Sequence, residues 1–133
     1  MKIEYRHPTP EEYRALRDAV GWRPTEEGPT ARALQNALFS VVCLEQCRVV
    51  GMGRVVGDGG LYFYLQDVMV APSCQRRGVG KAIVSQLMTY IRDNAPKGAF
   101  VALMAAKGLQ GYYQEFGFQP RASDAPGMFQ VLN

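Results

Sequence analysis

A short basic segment containing two glycines holds the residues of this chain that are best suited to chemistry. It consists of Gln75, Arg76, Arg77, Gly78, Val79, Gly80 and Lys81. An apolar, strand-like run precedes it (residues 61–70), and a run with helical apolar spacing begins inside it (79–91). Backbone N–H groups at a helix start lack acceptors, and the helix dipole makes that end positive. The segment is therefore predicted to bind a phosphate-rich group.

Two common phosphate-binding motifs do not match this segment. A P-loop requires G-x-x-x-x-G-K-[ST], which the chain lacks. The dinucleotide-binding fingerprint requires a third glycine after the pair formed here by Gly78 and Gly80, and it must follow the first strand of a βαβ unit. Neither a nucleoside triphosphate site nor a dinucleotide site is therefore indicated.

The segment resembles Q/R-x-x-G-x-G/A, the acetyl-coenzyme A pyrophosphate loop of the GNAT superfamily of N-acetyltransferases. The residues before it (67–72, sequence DVMVAP) match the same central motif. A second stretch (109–118) is similar to the family's C-terminal A-x-x-F-Y-x-K-x-G-F pattern, with Leu109 replacing the usual Ala. Ala106 stands where the family often has Asn. The resemblance covers essentially the whole chain.

Composition and charge indicate one ordinary globular domain. The chain has 133 residues, of which 47% are hydrophobic and 20% charged, so a single domain spanning residues 1–133 is predicted. No apolar run approaches the roughly 20 residues of a membrane span, and no signal peptide is recognised, so we expect a cytoplasmic protein without membrane contact. The three cysteines do not form a metal-binding pattern, so no metal is expected. Basic residues cluster tightly only at 76–81, which disfavours a nucleic-acid-binding domain.

The hydrophobic pattern predicts an α+β fold with the element order β-α-α-β-β-β-α-β-α-β-β. Thr9 begins a capping box that starts the first helix, and Thr30 is predicted to cap the second. Strands are expected at 3–6, 39–44, 49–56, 61–70, 99–105, 118–121 and 128–132, and the later helices at 79–91 and 109–116. The strand at 99–105 reads as buried on both faces. The resemblance implies the GNAT fold, a mixed and mostly antiparallel sheet flanked by helices.

The resemblance also implies transfer of an acetyl group from acetyl-CoA to a primary amine of a small molecule or protein. In the family the fourth and fifth strands separate, and the freed backbone groups of Val68, Met69 and Val70 would hold the pantetheine arm and the acetyl carbonyl. Tyr113 matches the tyrosine that protonates the departing thiolate. The alternative for Tyr113 is a packed tyrosine on an aromatic helix.

The proton acceptor and the acceptor-binding residues are less directly indicated. Tyr64 and Val101 stand where some family members carry a glutamate base. Asp67 is the nearest carboxylate in sequence, and it would either take the amine's proton through water or anchor a cationic substrate. A structural aspartate is the alternative. Trp22, Glu26 and Glu27 occupy the loop that lines the acceptor site in this family, and they would suit a cationic amine. A packed tryptophan beside a solvated acidic turn is the alternative there.

The leading hypothesis is an acetyl-CoA-dependent N-acetyltransferase. Its main rival is a catalytically silent acetyl-CoA-binding regulatory protein, which the absence of a strand carboxylate keeps open. The amine acceptor is not specified by the residues. Relatives of this size often pair as homodimers, and the sequence does not decide the oligomeric state.

Overall fold

The computed structural model describes residues 1–133, which form two compact units, Met1–Leu103 and Met104–Asn133. The first unit contains five strands and three helices. The strands are β1 (Lys2–Glu4), β2 (Phe39–Glu45), β3 (Arg48–Gly57), β4 (Tyr62–Val70) and β5 (Phe100–Ala102). The helices are α1 (Pro10–Ala19), α2 (Glu27–Gln35) and α3 (Val79–Asn94), and a short 3-10 turn spans Pro72–Cys74.

The five strands form one sheet in sequential order. β1 through β4 pair antiparallel, and β5 joins β4 in parallel. The β2–β3 hairpin turns through Gln46 and Cys47, which both have positive φ. The register of β3 against β4 shifts between Met52 and Arg54, so a β-bulge interrupts this pair. The expected mixed, mostly antiparallel sheet is confirmed.

One face of the sheet is covered by α1 and α2. Thr9 caps α1 through a complete capping box with Glu12, as predicted. Tyr13 and Leu16 of α1 pack with Leu34 of α2, and the sheet residues of this core cluster are Val42, Met52 and Met69. The predicted cap at Thr30 is wrong: α2 begins three residues earlier, after Glu26. Thr30 instead lies inside the helix, where its hydroxyl donates to the Glu26 carbonyl oxygen.

The other face of the sheet is covered by α3. Its apolar stripe (Val79, Ile83, Val84, Leu87, Ile91) is buried. A Cβ on Gly53 would lie 2.7 Å from Ile83 Cγ2 and 2.9 Å from Leu87 Cδ1, and one on Gly51 would lie 3.0 Å from Val79 Cγ1. Successive residues of a strand point to opposite faces, so Met52 meets α1 while its glycine neighbours admit α3. Because these two glycines have no side chains, α3 lies close to β3. This close approach determines the position of the helix N-terminus.

The fifth strand is shorter and less buried than predicted. It spans three residues instead of seven, and Phe100 is exposed while Val101 and Ala102 are half-buried. β5 pairs only with β4 and forms the edge of the sheet, so it has no second neighbour to bury it. The apolar run alone predicts a strand buried on both faces, because composition does not distinguish a central strand from an edge strand.

The second unit contains one helix, α4 (Gln110–Gln114). The strands predicted at 118–121 and 128–132 are not formed, and this part of the prediction is wrong. Met128, Phe129, Val131 and Leu132 are largely exposed and pair with no strand, so their apolar side chains cover no sheet face. No helix of the chain is long and apolar enough to cross a bilayer. Whether the two units form a single domain stays a prediction.

Adding a methyl group at Gly53 should weaken the packing of α3 on the sheet. We expect Gly53→Ala to lower the free energy of unfolding by about 1–3 kcal/mol, because the new Cβ would overpack Ile83 and Leu87. Urea unfolding followed by circular dichroism measures this change. Gly28→Ala is the matched control, since its Cβ would meet only the Arg32 Nη1 atom at 3.9 Å. Equal stability of the two variants would contradict the close approach of helix and strand.

Candidate active site

The N-terminus of α3 offers several backbone N–H groups. Gly78 is its N-cap residue, has φ of 82°, and supplies no side chain to cap the helix. The helical hydrogen bonds begin with the Ala82 N–H, which donates to the Gly78 carbonyl oxygen at 3.0 Å. The N–H groups of the first three helical residues, Val79, Gly80 and Lys81, therefore have no acceptor within the helix. This is the arrangement that binds phosphates at helix N-termini.

The space around this N-terminus fits a phosphate-rich group. No atom lies within 4 Å of the position that a Cβ would occupy on Gly78. Arg76, in the left-handed conformation with φ of 62°, and Lys81 are both exposed and have no ion-pair partner. Open space, free N–H groups and two unpaired cations meet the requirements for holding a pyrophosphate.

Two side chains of the predicted loop form hydrogen bonds with residues outside the loop. Arg77 donates to both carboxylate oxygens of Glu45, at 3.3 and 3.0 Å, and this pairing raises the pKa of the guanidinium. The Gln75 side-chain amide donates to the Val70 carbonyl oxygen at 3.0 Å. These two contacts connect the loop to the end of β2 and the end of β4. Gln75 and Arg77 thus hold the shape of the loop in addition to lying within it.

The C-terminal half of β4 has one free edge within the sheet. β5 pairs with β4 only at Tyr62, Phe63 and Tyr64, and it ends at Ala102. Met69 and Val70 therefore pair with β3 on one side, Val68 lies in the bulge, and none of the three pairs with a strand on the other side. The expected separation of the fourth and fifth strands is present at this level. It leaves backbone groups unpaired on the stretch that leads, through the 3-10 turn, into the loop at 75–81.

Asp67 lies at the β-bulge of β4 and is buried, with 3% of its surface exposed. Its φ of 57° is in the left-handed region. Tyr13 Oη and Arg54 Nε each donate to Asp67 Oδ2 at 2.8 Å, and Gln66 Nε2 donates to Oδ1 at 3.1 Å. Arg17 Nη1 lies 3.8 Å from Oδ1. Side chains from α1, β3 and β4 thus surround this carboxylate.

The contacts of Asp67 favour a positioning role. Both carboxylate oxygens already accept hydrogen bonds from the protein, and two guanidinium groups stabilise the charge. The hydrogen bonds to this carboxylate all come from side chains. Burial, together with the charge of Asp67, raises the pKa of the Tyr13 phenol, so Tyr13 remains a hydrogen-bond donor.

The predicted acceptor-binding residues lie around the start of α2. Trp22 is 37% exposed, and its ring faces the Arg17 guanidinium, whose central carbon lies 5.4 Å from the ring centroid. Glu26 precedes α2, and Glu27 is its first residue. Neither glutamate has an ion-pair partner. The Trp22 ring is predicted to contact a cationic substrate, but the Arg17 guanidinium already lies over one of its faces.

Tyr113 belongs to the second unit, on α4. It is 8% exposed, and its ring makes edge contacts with Tyr112 at 5.1 Å and Phe118 at 6.2 Å between centroids. Burial raises the pKa of its phenol, which keeps the proton on the hydroxyl. The neighbouring Tyr112 hydroxyl is buried without a hydrogen-bond partner, and burial raises its pKa to about 12.

Four residues of the Asp67 cluster were missed by sequence reasoning: Tyr13, Arg17, Arg54 and Gln66. Tyr13 and Arg17 are four residues apart on α1, and their Oη and Nη1 atoms lie 3.2 Å apart. Arg54 is the one charged residue inside the otherwise apolar and glycine-rich β3 after its first position. A charge within an apolar strand is the signal that could have identified it, because such a residue requires a buried partner.

Comparison with known proteins agrees with this geometry. The family model described as an acetyltransferase (GNAT) domain matches residues 10–126. A probable acetyltransferase of unknown function from methicillin-resistant Staphylococcus aureus is 37% identical, with 98% of each chain covered and a TM-score of 0.92. An acetyltransferase from Streptococcus pneumoniae described as a GNAT family protein is 30% identical, covers 98% of this chain and 97% of its own, and has a TM-score of 0.80.

A plant relative extends the comparison. Serotonin N-acetyltransferase 2, chloroplastic, from rice (Oryza sativa subsp. japonica) is 33% identical over 105 residues, which are 74% of this chain and 50% of the rice protein. The chain thus spans about half the length of that relative. The motif residues, the fold and these similarities agree with one another: the chain belongs to the GNAT family of acetyltransferases.

Proposed function

We propose that this protein transfers an acetyl group from acetyl-CoA to a primary amine. The observation that carries the proposal is the uncapped N-terminus of α3, which follows directly on the free edge of β4. The acceptor in the name of the rice relative is likewise a primary amine. When bound, acetyl-CoA would supply the activated acetyl thioester. The chain's own residues bind and orient the two substrates and stabilise the charge that develops on them.

The loop and the strand edge have separate tasks in this proposal. The N–H groups of Val79, Gly80 and Lys81, with the side chains of Arg76 and Lys81, bind the pyrophosphate. Gln75 and Arg77 hold the loop in place through Val70 and Glu45. The backbone of residues 68–70 binds the pantetheine arm. One of its N–H groups stabilises the oxyanion that forms when an amine attacks the thioester carbonyl.

Tyr113 is proposed to donate a hydrogen bond to the sulfur of the leaving thiolate. A phenol of pKa about 10 is a weaker acid than a thiol of about 8.5, and the raised pKa of Tyr113 increases that difference. Complete proton transfer to the sulfur would be uphill. The tyrosine therefore acts by stabilising the negative charge that develops on the sulfur.

Asp67 is proposed to act on the reaction through the residues that surround it. Its carboxylate fixes Arg54 and Tyr13 and holds the bulge that precedes Val68. The proton of an incoming ammonium group then goes to solvent. Direct proton transfer to Asp67 through water is the competing assignment.

The silent acetyl-CoA-binding protein stays the alternative from another class. Release of free thiol in the presence of an amine panel separates the two, because a binding protein releases none. A cytoplasmic location and a homodimer stay predictions.

Gly78→Glu should prevent coenzyme A binding. The carboxylate would point into the space where the phosphates bind, so we expect at least a tenfold loss of affinity, about 1.4 kcal/mol, by isothermal calorimetry. Gly21→Glu is the matched control, because Gly21 also has positive φ, 80° against 82°, and open space around its Cβ position. Both variants carry the same backbone strain. Unchanged affinity in a folded Gly78→Glu protein would exclude the loop as the phosphate site.

Tyr113→Phe should lower turnover by about 10²–10⁴-fold while leaving acetyl-CoA affinity nearly unchanged, since only the hydroxyl donor is lost. Steady-state thiol release and calorimetry measure the two quantities. Tyr112→Phe is the matched control: its hydroxyl has no partner, so turnover should persist. Weaker binding with normal turnover would make Tyr113 a binding residue. No change in either would leave it as packing.

Asp67→Asn should reduce both stability and turnover without removing the acidic limb of the pH–rate profile. Breaking the buried pair with Arg54 should lower the free energy of unfolding by about 3 kcal/mol. Asp18→Asn, an exposed change on α1, controls for the loss of one negative charge. Loss of the acidic limb in the folded variant would instead identify Asp67 as the proton acceptor.

A further inference from the structure

The side chains around Asp67 carry more positive than negative charge. Two guanidinium groups, Arg17 and Arg54, face one carboxylate, and the remaining members, Tyr13 and Gln66, are neutral. Asp67 is 1% exposed at its side chain, against 14% for Arg17 and 11% for Arg54. The carboxylate is therefore buried, and the two guanidinium groups, which carry the excess positive charge, are more accessible to solvent.

Both guanidinium groups keep hydrogen-bond donors that the protein does not use. Arg17 donates through Nε to the Arg23 carbonyl oxygen and through Nη1 to Tyr13 Oη. Arg54 donates through Nε to Asp67 and through Nη1 to the Ala33 carbonyl oxygen. The Nη2 group of each has no acceptor in the protein, and neither nitrogen is fully buried without a partner. Each arginine is thus held by two hydrogen bonds, through Nε and Nη1, and presents an unused Nη2 group.

The surroundings of Arg17 suit an anionic ligand. The guanidinium lies against the rings of Tyr13 and Trp22, 5.6 and 5.4 Å from their centroids, so its orientation is fixed before a ligand arrives. A preoriented guanidinium presents paired donors to a carboxylate or phosphate. Asp67, which both arginines contact, directly precedes Val68–Val70, the stretch assigned to the acetyl group.

We propose that Arg17 and Arg54 bind an anionic group of the acceptor, so the acetylated amine belongs to a molecule that also carries a carboxylate or phosphate. This rests on the proposed acetyl transfer and narrows its substrate class. It departs from the cationic acceptor that Trp22, Glu26 and Glu27 suggested.

The first test compares matched acceptors in thiol release. Three pairs differ in the anionic group: leucine and leucinamide, phosphoethanolamine and ethanolamine, glucosamine 6-phosphate and glucosamine. We expect kcat/KM to be higher for the anionic member of at least one pair by about tenfold or more. The first pair reports a carboxylate and the other two a phosphate. No preference for the anionic member in any pair would overturn the proposal.

Arg17→Gln should remove this preference while leaving acetyl-CoA affinity unchanged. It deletes the excess positive charge and keeps the Asp67–Arg54 pair. Arg14→Gln is the matched control, since Arg14 is an exposed arginine on the same helix. Arg17→Lys keeps the charge without the planar fork and should retain part of the preference. A preference that survives in a folded Arg17→Gln protein would assign it to other residues and contradict the proposal.

A binding measurement decides the matter even if no acetyl transfer occurs. Trp22 is the chain's one tryptophan, and it contacts Arg17. We expect its fluorescence to respond to N-acetylleucine, phosphoethanolamine or glucosamine 6-phosphate, and not to N-acetylleucinamide, ethanolamine or glucosamine. The response should be lost in Arg17→Gln. Absence of thiol release together with this response would refute the proposed function and retain the anion site. Absence of the response in the wild-type protein would refute the anion site.

Discussion

The buried contact between Asp67 and Arg54 is the interaction on which the site depends. It lies at the bulge where β3 and β4 lose register, and it holds Asp67 in a left-handed conformation of a kind that typically costs about 1–3 kcal/mol. The hydrogen bonds from Tyr13, Arg54 and Gln66 offset that strain. Because Arg54 also donates to the last turn of α2 through Ala33, one carboxylate fixes two strands and two helices.

The bulge and the early end of β5 act together on the same stretch of chain. The bulge changes the direction of β4 immediately before Val68, and β5 stops pairing at Tyr64. From there to the end of β4, one edge of the strand is open, and the chain then enters the loop that starts α3. Gly51 and Gly53 let α3 lie directly on β3. The open edge of β4 thus follows from the bulge and from the end of β5. The position of the uncapped helix N-terminus follows from the two glycines of β3.

Local signals were sufficient for most of the first unit. The capping box at Thr9 and the apolar stripe of α3 each determine structure within a few residues, and both predictions are confirmed. The loop at 75–81 was identified because its residue types and its place between strand and helix are local as well. The predicted cap at Thr30 is wrong because a threonine before an apolar run is also compatible with a helix interior. There its hydroxyl donates to a carbonyl oxygen of the preceding turn.

Long-range contacts explain what the sequence did not predict. Tyr13, Arg17 and Arg54 are brought to Asp67 by the sheet and α1, across 54, 50 and 13 positions of the chain respectively, so no local pattern links them. The strands predicted after residue 117 failed for the converse reason. Apolar residues form a strand only where a neighbouring strand pairs with them, and no residue of this tail is in a strand.

The contact between Arg77 and Glu45 has a consequence for how the coenzyme would sense ionic strength. Because Glu45 already neutralises Arg77, the loop presents fewer net charges to a pyrophosphate than its three basic side chains suggest. Dissolved salt screens the Arg77–Glu45 attraction as well as the attraction between loop and phosphate. The two effects oppose one another, since loosening Glu45 frees a guanidinium. Arg76 and Lys81 keep their full charges, so affinity should fall with salt concentration, but less steeply than three free cations would predict.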